Sequence, residues 1–194
     1  CDIGLYEAEV IYKRTLRRLF VRWNKNKDVK RSFMKKTYVL DTNVLIQAPY
    51  AVECFEENTV VLPMTVLEEL DNMKKEEGEK GANVRKVIRI LDAHREKGNL
   101  LEGVRMEWGG ILRVEKNYRN VELPPDLPEH KSDNRILKVC VGLSNDLKEQ
   151  VILVTKDILL RIKAQLLGIQ AEDFGTEQVA VHEEQYLGDR KSVV

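Results

Sequence analysis

The sequence predicts an α/β fold in which a mainly parallel sheet is covered by helices on both faces. Three short runs have the apolar and β-branched composition of buried strands: TYVL at 37–40, TVVLP at 59–63 and VILVT at 151–155. Segments of helical periodicity separate these runs along the chain. Buried strands that alternate with helices indicate a parallel sheet, because a helix must return the chain to the same end of the sheet before each new strand.

The elements follow in the order strand, helix, strand, helix, helix, hairpin, helix, strand, helix. Helices are predicted at 49–56, 65–76, 82–97, 134–145 and 157–168. The first of these is short and begins with Pro49. Gly98 and Gly168 stand at the ends of two others, where glycine commonly terminates a helix.

A hairpin and a long loop lie between the third and fourth of these helices. The segments 104–108 and 111–115 flank Gly109-Gly110, and this pattern predicts a hairpin with a two-residue loop. Residues 120–132 contain three prolines and are predicted to form an extended loop.

The charge is unevenly distributed. Residues 1–36 contain eleven Lys and Arg and four Asp and Glu, a net charge of +7, which leaves −7 for the rest of a chain that is neutral overall. We expect residues 1–33 to be a basic extension, with an amphipathic helix at 5–23 and a linker after it. Such an arm commonly contacts nucleic acid, and the alternative is a solvated helix face. Residues 34–175 then form the main domain, and 176–194 form a tail or a junction.

Several classes of function lack their sequence signatures. Neither a GxxxxGK[ST] loop nor a GxGxxG motif is present, and the three histidines, at 94, 130 and 182, lie in polar contexts that predict surface positions. Cys1, Cys54 and Cys140 form no CxxC pair, so we expect a reducing compartment. No apolar run approaches the roughly 18 residues of a membrane span, so the predicted location is the cytoplasm.

Acidic residues follow the predicted strands at one end of the sheet. Asp41 comes directly after the first strand, Asp157 comes two residues after the last, and Asp133 begins the helix before the last strand. Glu68 and Glu69 lie in the helix after the second strand. Ligands of open parallel sheets bind beyond the carboxyl ends of the strands. Carboxylates are hard oxygen ligands suited to Mg²⁺ or Mn²⁺, so the pattern predicts a metal centre.

Each of the three aspartates also has a local structural alternative. Asp41 can form a turn with the residues after it. Asp133 can cap the helix at 134–145, a role that Ser132 fits equally well. Asp157 can cap the last helix, with Thr155 as its rival. The metal hypothesis depends on all of the acids lying at the same end of the sheet.

Glu68 and Glu69 are distinguished by a helix-capping pattern. The segment from Thr65 to Glu68 matches a capping box, in which Glu68 bonds back to the start of the helix. Adjacent helix positions point about 100° apart, so one of the two glutamates at most faces the site. This reasoning favours Glu69.

The assembled motifs resemble those of the PIN domain family, and they are most similar to the PIN domain at the amino end of bacterial PhoH-family ATPases. The similar segments are YVLDTNVLIQ at 38–47, VLPMTVLEELDNMK at 61–74, SDNRILKVC at 132–140 and VILVTKDILLRIKAQLLGIQAEDF at 151–174. The resemblance covers residues 34 to 175 and implies a three-layer α/β/α sandwich. Lys131-Ser132 depart from the usual Thr-Asn before the third acid, and residues 1–33 have no counterpart in the family pattern.

The resemblance also implies a site and an activity. Asp41, Glu69, Asp133 and Asp157 match the catalytic and metal-binding acids of the family, and Asn43 and Thr155 match its supporting polar residues. The implied activity is that of a hydrolase, a Mg²⁺- or Mn²⁺-dependent endoribonuclease that cleaves single-stranded or structured RNA. The alternative is a regulatory PIN module that binds RNA or protein without cleavage. No phosphate-binding loop follows, so we expect either a fragment of a PhoH-type protein, with its ATPase domain in cis, or a PIN domain that stands alone or forms homo-oligomers.

Overall fold

One six-stranded sheet lies at the centre of the part of the chain that the structure describes. This structure is a computed structural model, and it describes residues 35–107, 109–147 and 149–174. The strands are β1 Lys36–Leu40, β2 Thr59–Pro63, β3 Val104–Arg105, β4 Ile111–Glu115, β5 Gln150–Val154 and β6 Gln170–Glu172. Their order is β3-β4-β2-β1-β5-β6, and every adjacent pair is parallel except β3 and β4. The predicted α/β fold with a mainly parallel sheet is confirmed.

Five helices flank the sheet within the described ranges. They are α1 Thr42–Gln47, α2 Met64–Met73, α3 Gly78–Lys97, α4 Ser132–Asp146 and α5 Ile158–Leu166. The helix predicted at 49–56 is a single 3-10 turn, Ala51–Glu53, and α1 before it was not predicted. None of the helices in the described ranges is long and apolar enough to cross a membrane.

The central strands carry the core. All five residues of β2 are buried, and β1 and β5 end in fully or almost fully buried residues such as Leu40 and Leu153. Central strands of a parallel sheet have both faces covered, and for this reason they appear in the sequence as continuous apolar runs. Two aromatic residues add to this core: Phe55, in the loop before β2, and Phe174, beyond β6. Their ring centroids are 6.1 Å apart.

The register of β1 and β5 places their carboxyl ends side by side. Leu40 is paired with Val154, and the backbone N–H of Asp41 donates to the carbonyl of Val154 at 3.0 Å. On the other side of β5, the N–H of Thr155 donates to Glu172 at 3.1 Å. Asp41 and Thr155 therefore emerge from neighbouring strands at the same end of the sheet.

The predicted hairpin is present, but its loop differs from the prediction. The N–H of Met106 bonds to the carbonyl of Gly110 at 2.8 Å, so the loop consists of three residues, 107–109, rather than of Gly109-Gly110. Gly109 has a φ of +90°, so it supplies the left-handed conformation that such loops require. Gly110 is a pairing position, where a Cβ atom would meet two backbone carbonyl oxygens at 2.3 and 2.7 Å.

Two histidine predictions can be compared with the structure. His130 is exposed as expected, whereas the surface prediction for His94 is wrong, because its side chain is buried and its Nε2 lies 3.4 Å from Glu53 Oε1. The sequence around His94 is polar, but α3 turns this position towards the 3-10 turn. His182, the basic extension at 1–33 and the tail at 176–194 lie outside the described residues.

Candidate functional site

Asp41 lies at the end of β1 with its side chain almost completely buried. Only 4% of the residue is exposed. Its Oδ2 accepts a hydrogen bond from Thr155 Oγ1 at 2.7 Å and a longer one from Asn43 Nδ2 at 3.4 Å. Although Asp41 precedes α1, its side chain makes no cap hydrogen bond to that helix. The two residues expected to support Asp41 both contact it.

The environment of Asp41 disfavours its charged form. Burial raises the pKa of the carboxyl above its ordinary value, and the negative charges of Glu69 and Asp133 raise it further. The hydrogen bond from Thr155 and the adjacent backbone N–H of Thr42 lower the pKa and so act in the opposite direction. Asp41 is therefore close enough to two other predicted acids to be repelled by both, and a cation beside it would relieve that repulsion.

Thr155 joins two of the candidate acids through a single hydroxyl group. The hydroxyl donates to Asp41 and accepts a hydrogen bond from the backbone N–H of Asp157 at 3.0 Å. Thr155 is fully buried, so water does not compete for these bonds. The side chain of Asp157 caps α5, and its Oδ1 accepts from the N–H groups of Leu159 at 2.7 Å and Leu160 at 3.3 Å. The capping alternative for Asp157 is thus realised, and Thr155 is not the cap.

Glu69 and Glu68 point in different directions from α2. Glu69 Oε2 accepts a hydrogen bond from the buried Thr42 hydroxyl, beside Asp41. Glu68 is exposed and pairs with Arg135 at 3.1 Å. Of the two, Glu69 is the residue placed next to Asp41.

The predicted capping box from Thr65 to Glu68, which favoured Glu69 as the acid of the site, is absent. The helix α2 begins at Met64, and neither Thr65 nor Glu68 caps it. Thr65 is buried and donates instead to Asn117 Oδ1 at 3.2 Å. A tertiary hydrogen bond has replaced the local motif, and Glu69 faces Asp41 because of the phase of the helix relative to the sheet.

Asp133 lies in the first turn of α4 and is paired with a lysine. The helix begins at Ser132, and Lys131 before it makes no side-chain cap. Neither Ser132 nor Asp133 is therefore the cap that the sequence suggested. Asp133 Oδ2 lies 3.0 Å from Lys163 Nζ on α5, and both side chains are partly exposed. Lys163 thus balances part of the negative charge of the site.

The donor set suits a hard divalent cation, although it is not closed around one. Asp41, Glu69 and Asp133 supply carboxylate oxygens, the ligands that Mg²⁺ and Mn²⁺ prefer. Across 35–107, 109–147 and 149–174, no three His, Cys, Asp or Glu side chains lie close enough together to enclose a metal ion as they stand. Asp157 reaches the other acids only through Thr155.

Thr42 and Lys163 are the contacts of the site that sequence reasoning missed. Thr42 follows Asp41 directly and belongs to the Asp-Thr-Asn motif, which was a signal for its involvement. Lys163 carries no comparable signal, because it is 30 residues from Asp133 along the chain.

The comparisons with known proteins cover the part of the chain that contains these residues. The family model described as the PIN domain matches residues 38–175, a range that includes all four candidate acids. Protein PhoH2 of Bacillus subtilis is 48% identical over 161 residues, which cover 80% of this chain and 36% of that protein. Protein PhoH2 of Mycolicibacterium smegmatis is 39% identical over 149 residues, covering 75% and 34%. The chain thus spans about a third of the length of these relatives.

The solved structures that this chain resembles are more distant in sequence. A PilT N-terminus domain protein from Sulfolobus solfataricus is 12% identical, with a TM-score of 0.45, and the match covers 75% of this chain and 92% of that one. A domain of a functionally unknown protein from Methanocaldococcus jannaschii is 24% identical, with a TM-score of 0.43, over 72% of this chain and 91% of that one.

Proposed function

The chain belongs to the PIN domain family, and on this basis we propose that it is a ribonuclease that hydrolyses RNA phosphodiester bonds with a bound Mg²⁺ or Mn²⁺ ion. The observation that supports the proposal best is the buried carboxyl of Asp41, with the charges of Glu69 and Asp133 directed at it. A buried carboxyl beside other acids destabilises a fold, so such an arrangement is typical of functional sites, and a metal centre is one of them.

Each acid has a separate role in the proposed mechanism. Asp41 is the central ligand, and Thr155 holds its carboxyl in place. Glu69 and Asp133 complete the oxygen donors, and Lys163 keeps Asp133 from being pushed away by the other acids. Asp157 is the outermost member, and it is positioned by its bonds to the start of α5. A bound divalent ion would supply an activated water and would stabilise the charge on the leaving oxygen.

The test is metal-dependent cleavage by variants of single acids. With single-stranded RNA and Mn²⁺, we expect Asp41→Asn to lower the cleavage rate by about 100-fold or more, because the loss of a metal ligand removes several kcal/mol of transition-state stabilisation. Glu69→Gln and Glu68→Gln form a matched pair of neighbouring acids. The first should reduce cleavage strongly and the second should not, since Glu68 pairs with Arg135 at the surface.

The same assay on DNA and without metal completes the design. Cleavage that persists unchanged in Asp41→Asn would refute the proposed mechanism. Equal losses in Glu68→Gln and Glu69→Gln would show that the glutamate assignment is wrong even if the nuclease activity is real.

A second candidate function is a PIN module that binds RNA or protein without cleaving it. The observation in its favour is that the acids are partly satisfied without metal, since Lys163 pairs with Asp133 and Asp157 caps a helix. RNA binding that is insensitive to Mn²⁺, without any cleavage product, would favour this candidate. In longer proteins of the PhoH2 type, we further propose that the domain acts together with an ATPase domain of the same polypeptide in the cytoplasm.

A further inference from the structure

A cavity lies beside the carboxyl end of β4, away from the four acids. Its volume is about 430 Å³, and its lining consists of Met64 and the five residues from Lys116 to Asn120. These five residues form the loop that leaves β4, and Met64 is the first residue of α2. A space of this size is in the range of pockets that hold small molecules.

Tyr118 is the aromatic residue of this cavity, and its position is fixed from two sides. The ring lies against Gly142 of α4 so closely that a Cβ atom there would be 2.2 Å from two ring carbons. Burial and the neighbouring Glu115 raise the pKa of the Tyr118 hydroxyl to about 12, and a hydrogen bond to Asp146 contributes to this shift. The ring is therefore held in place before any ligand arrives, so little conformational entropy is lost when a ligand contacts it.

Asn117 supplies an oriented hydrogen-bond donor next to this ring. Its Oδ1 accepts from the buried hydroxyl of Thr65, which leaves the amide NH₂ group for a ligand. Amides that are held in one orientation in this way can read the edges of nucleobases, which carry both donors and acceptors.

Lys116 and Arg119 add positive charge to the cavity. Within the described part of the chain neither forms an ion pair, whereas Lys74, just after α2, pairs with Asp71, and Lys80 of α3 pairs with Glu76. A cationic rim around an aromatic residue is the arrangement by which proteins bind single-stranded nucleic acid, with cations on the phosphates and the ring on a base.

The cavity and the acids lie at the same end of the sheet. β4 is separated from β1 by β2 alone, so their carboxyl ends are about 10 Å apart at ordinary strand spacing. The helix α2 connects the two places, with Met64 at the cavity and Glu69 at the acids. A short stretch of single-stranded RNA can span this distance.

We propose that residues 116–120 form a nucleobase subsite for single-stranded RNA, in which a base stacks on Tyr118, Asn117 bonds its edge, and Lys116 and Arg119 contact the flanking phosphates. The proposal rests on the proposed function, because it assigns part of the substrate of that site. It predicts that single strands bind and that duplexes do not, since a paired base cannot enter the cavity.

Binding of a fluorescein-labelled oligouridine, measured by anisotropy in EDTA, tests the subsite without cleavage. Tyr118→Leu should weaken binding on the order of tenfold, because base stacking on an aromatic ring accounts for that much affinity. Tyr118→Phe keeps the ring and should bind nearly as the unchanged protein does. Gly142→Ala should weaken binding as Tyr118→Leu does, because its methyl group displaces the ring. Melting temperatures of all variants show that each is folded.

The salt dependence of binding tests the two cations. Arg119→Ser should lower the slope of log affinity against log salt by about 0.7, the value for one lost phosphate contact on a single strand. Lys86→Ser, on α3, is the control and should leave the slope unchanged.

The outcomes separate this inference from the proposed function. Binding that depends on Tyr118 in a protein that never cleaves RNA supports the subsite and refutes the nuclease. RNA cleavage with unchanged binding and unchanged kcat/KM in Tyr118→Leu supports the nuclease and refutes the subsite. Equal affinity for duplex and single strand, or no oligouridine binding by the unchanged protein, also refutes the subsite.

Discussion

Replacing Thr155 by Val removes one hydroxyl and changes the shape of the side chain little, so it isolates the two hydrogen bonds that this hydroxyl forms. The hydroxyl donates to Asp41 at 2.7 Å and accepts from the N–H of Asp157 at 3.0 Å. Thr155 is fully buried, so water does not replace either bond in the variant. We expect Thr155→Val to destabilise the protein and to reduce cleavage, because Asp41 loses its closest donor.

The expected loss of stability in Thr155→Val follows from the energies of the two hydrogen bonds that the variant lacks. A hydrogen bond to a charged group contributes about 1.5–3 kcal/mol, and an N–H group left without its acceptor costs about 1–3 kcal/mol. Since the two bonds share one hydroxyl, the energies are not fully additive, and we expect a loss of about 2–5 kcal/mol in the free energy of unfolding. For a protein of this size the melting temperature should fall by about 5–15 °C.

Thr155→Ser is the matched control for this experiment. It keeps the hydroxyl and loses one buried methyl group, so it should cost about 1 kcal/mol. Urea denaturation of both variants in EDTA, followed by Mn²⁺-dependent cleavage, gives the comparison. A Val variant that is as stable and as active as the Ser variant would show that the hydroxyl does not join Asp41 to Asp157.

Two further predictions concern charge and burial. Lys163→Met should lower the stability of the metal-free protein by about 0.5–1 kcal/mol, because Asp133 loses the cation that balances its charge. For the same reason Mn²⁺ should stabilise this variant more than the unchanged protein. A thermal-shift titration with Mn²⁺ measures this difference, and an unchanged response would contradict the prediction. Burial and the nearby charge of Glu53 raise the pKa of Cys54 to about 12, so its thiolate fraction at pH 8 should be on the order of 1,000-fold below that of a free thiol. Iodoacetamide labelling followed by peptide mass spectrometry should find Cys54 slow in the native protein and fast in urea, and equal rates would show that the site is open.

The sequence predicted the parts of the fold whose pattern is set by burial. β1, β2 and β5 lie in the middle of the sheet, and their continuous apolar runs were visible as strands. β6 was not predicted because it is a three-residue edge strand, Gln170–Glu172, without apolar alternation. α1 was not predicted because it follows β1 almost immediately, and a segment of six residues is too short to show helical periodicity.

The candidate site was predictable to the extent that it depends on topology. Acids at the carboxyl ends of parallel strands must lie at one end of the sheet, and the structure brings Asp41, Glu69 and Asp133 within electrostatic range. The partners of these acids were not predictable, because they come from distant parts of the chain. Lys163 is the clearest example, and Thr65 is another, since its hydroxyl bonds to a residue 52 positions away instead of capping its own helix.

The loop that contains the cavity has a property useful to a protein engineer. Its first residues are tied to the helices that carry two of the acids, because Asn117 accepts a hydrogen bond from Thr65 of α2 and Tyr118 packs against Gly142 of α4. Beyond that stretch the chain is anchored again, by the bond from Asn134 to Pro128 at 2.8 Å and by the ion pair between Lys138 and Glu129. Residues 121–126 lie between these two anchored parts of the chain and can therefore be exchanged for a segment of another length or composition, which makes them the natural place to redesign what the neighbouring cavity recognises while the acids stay in register.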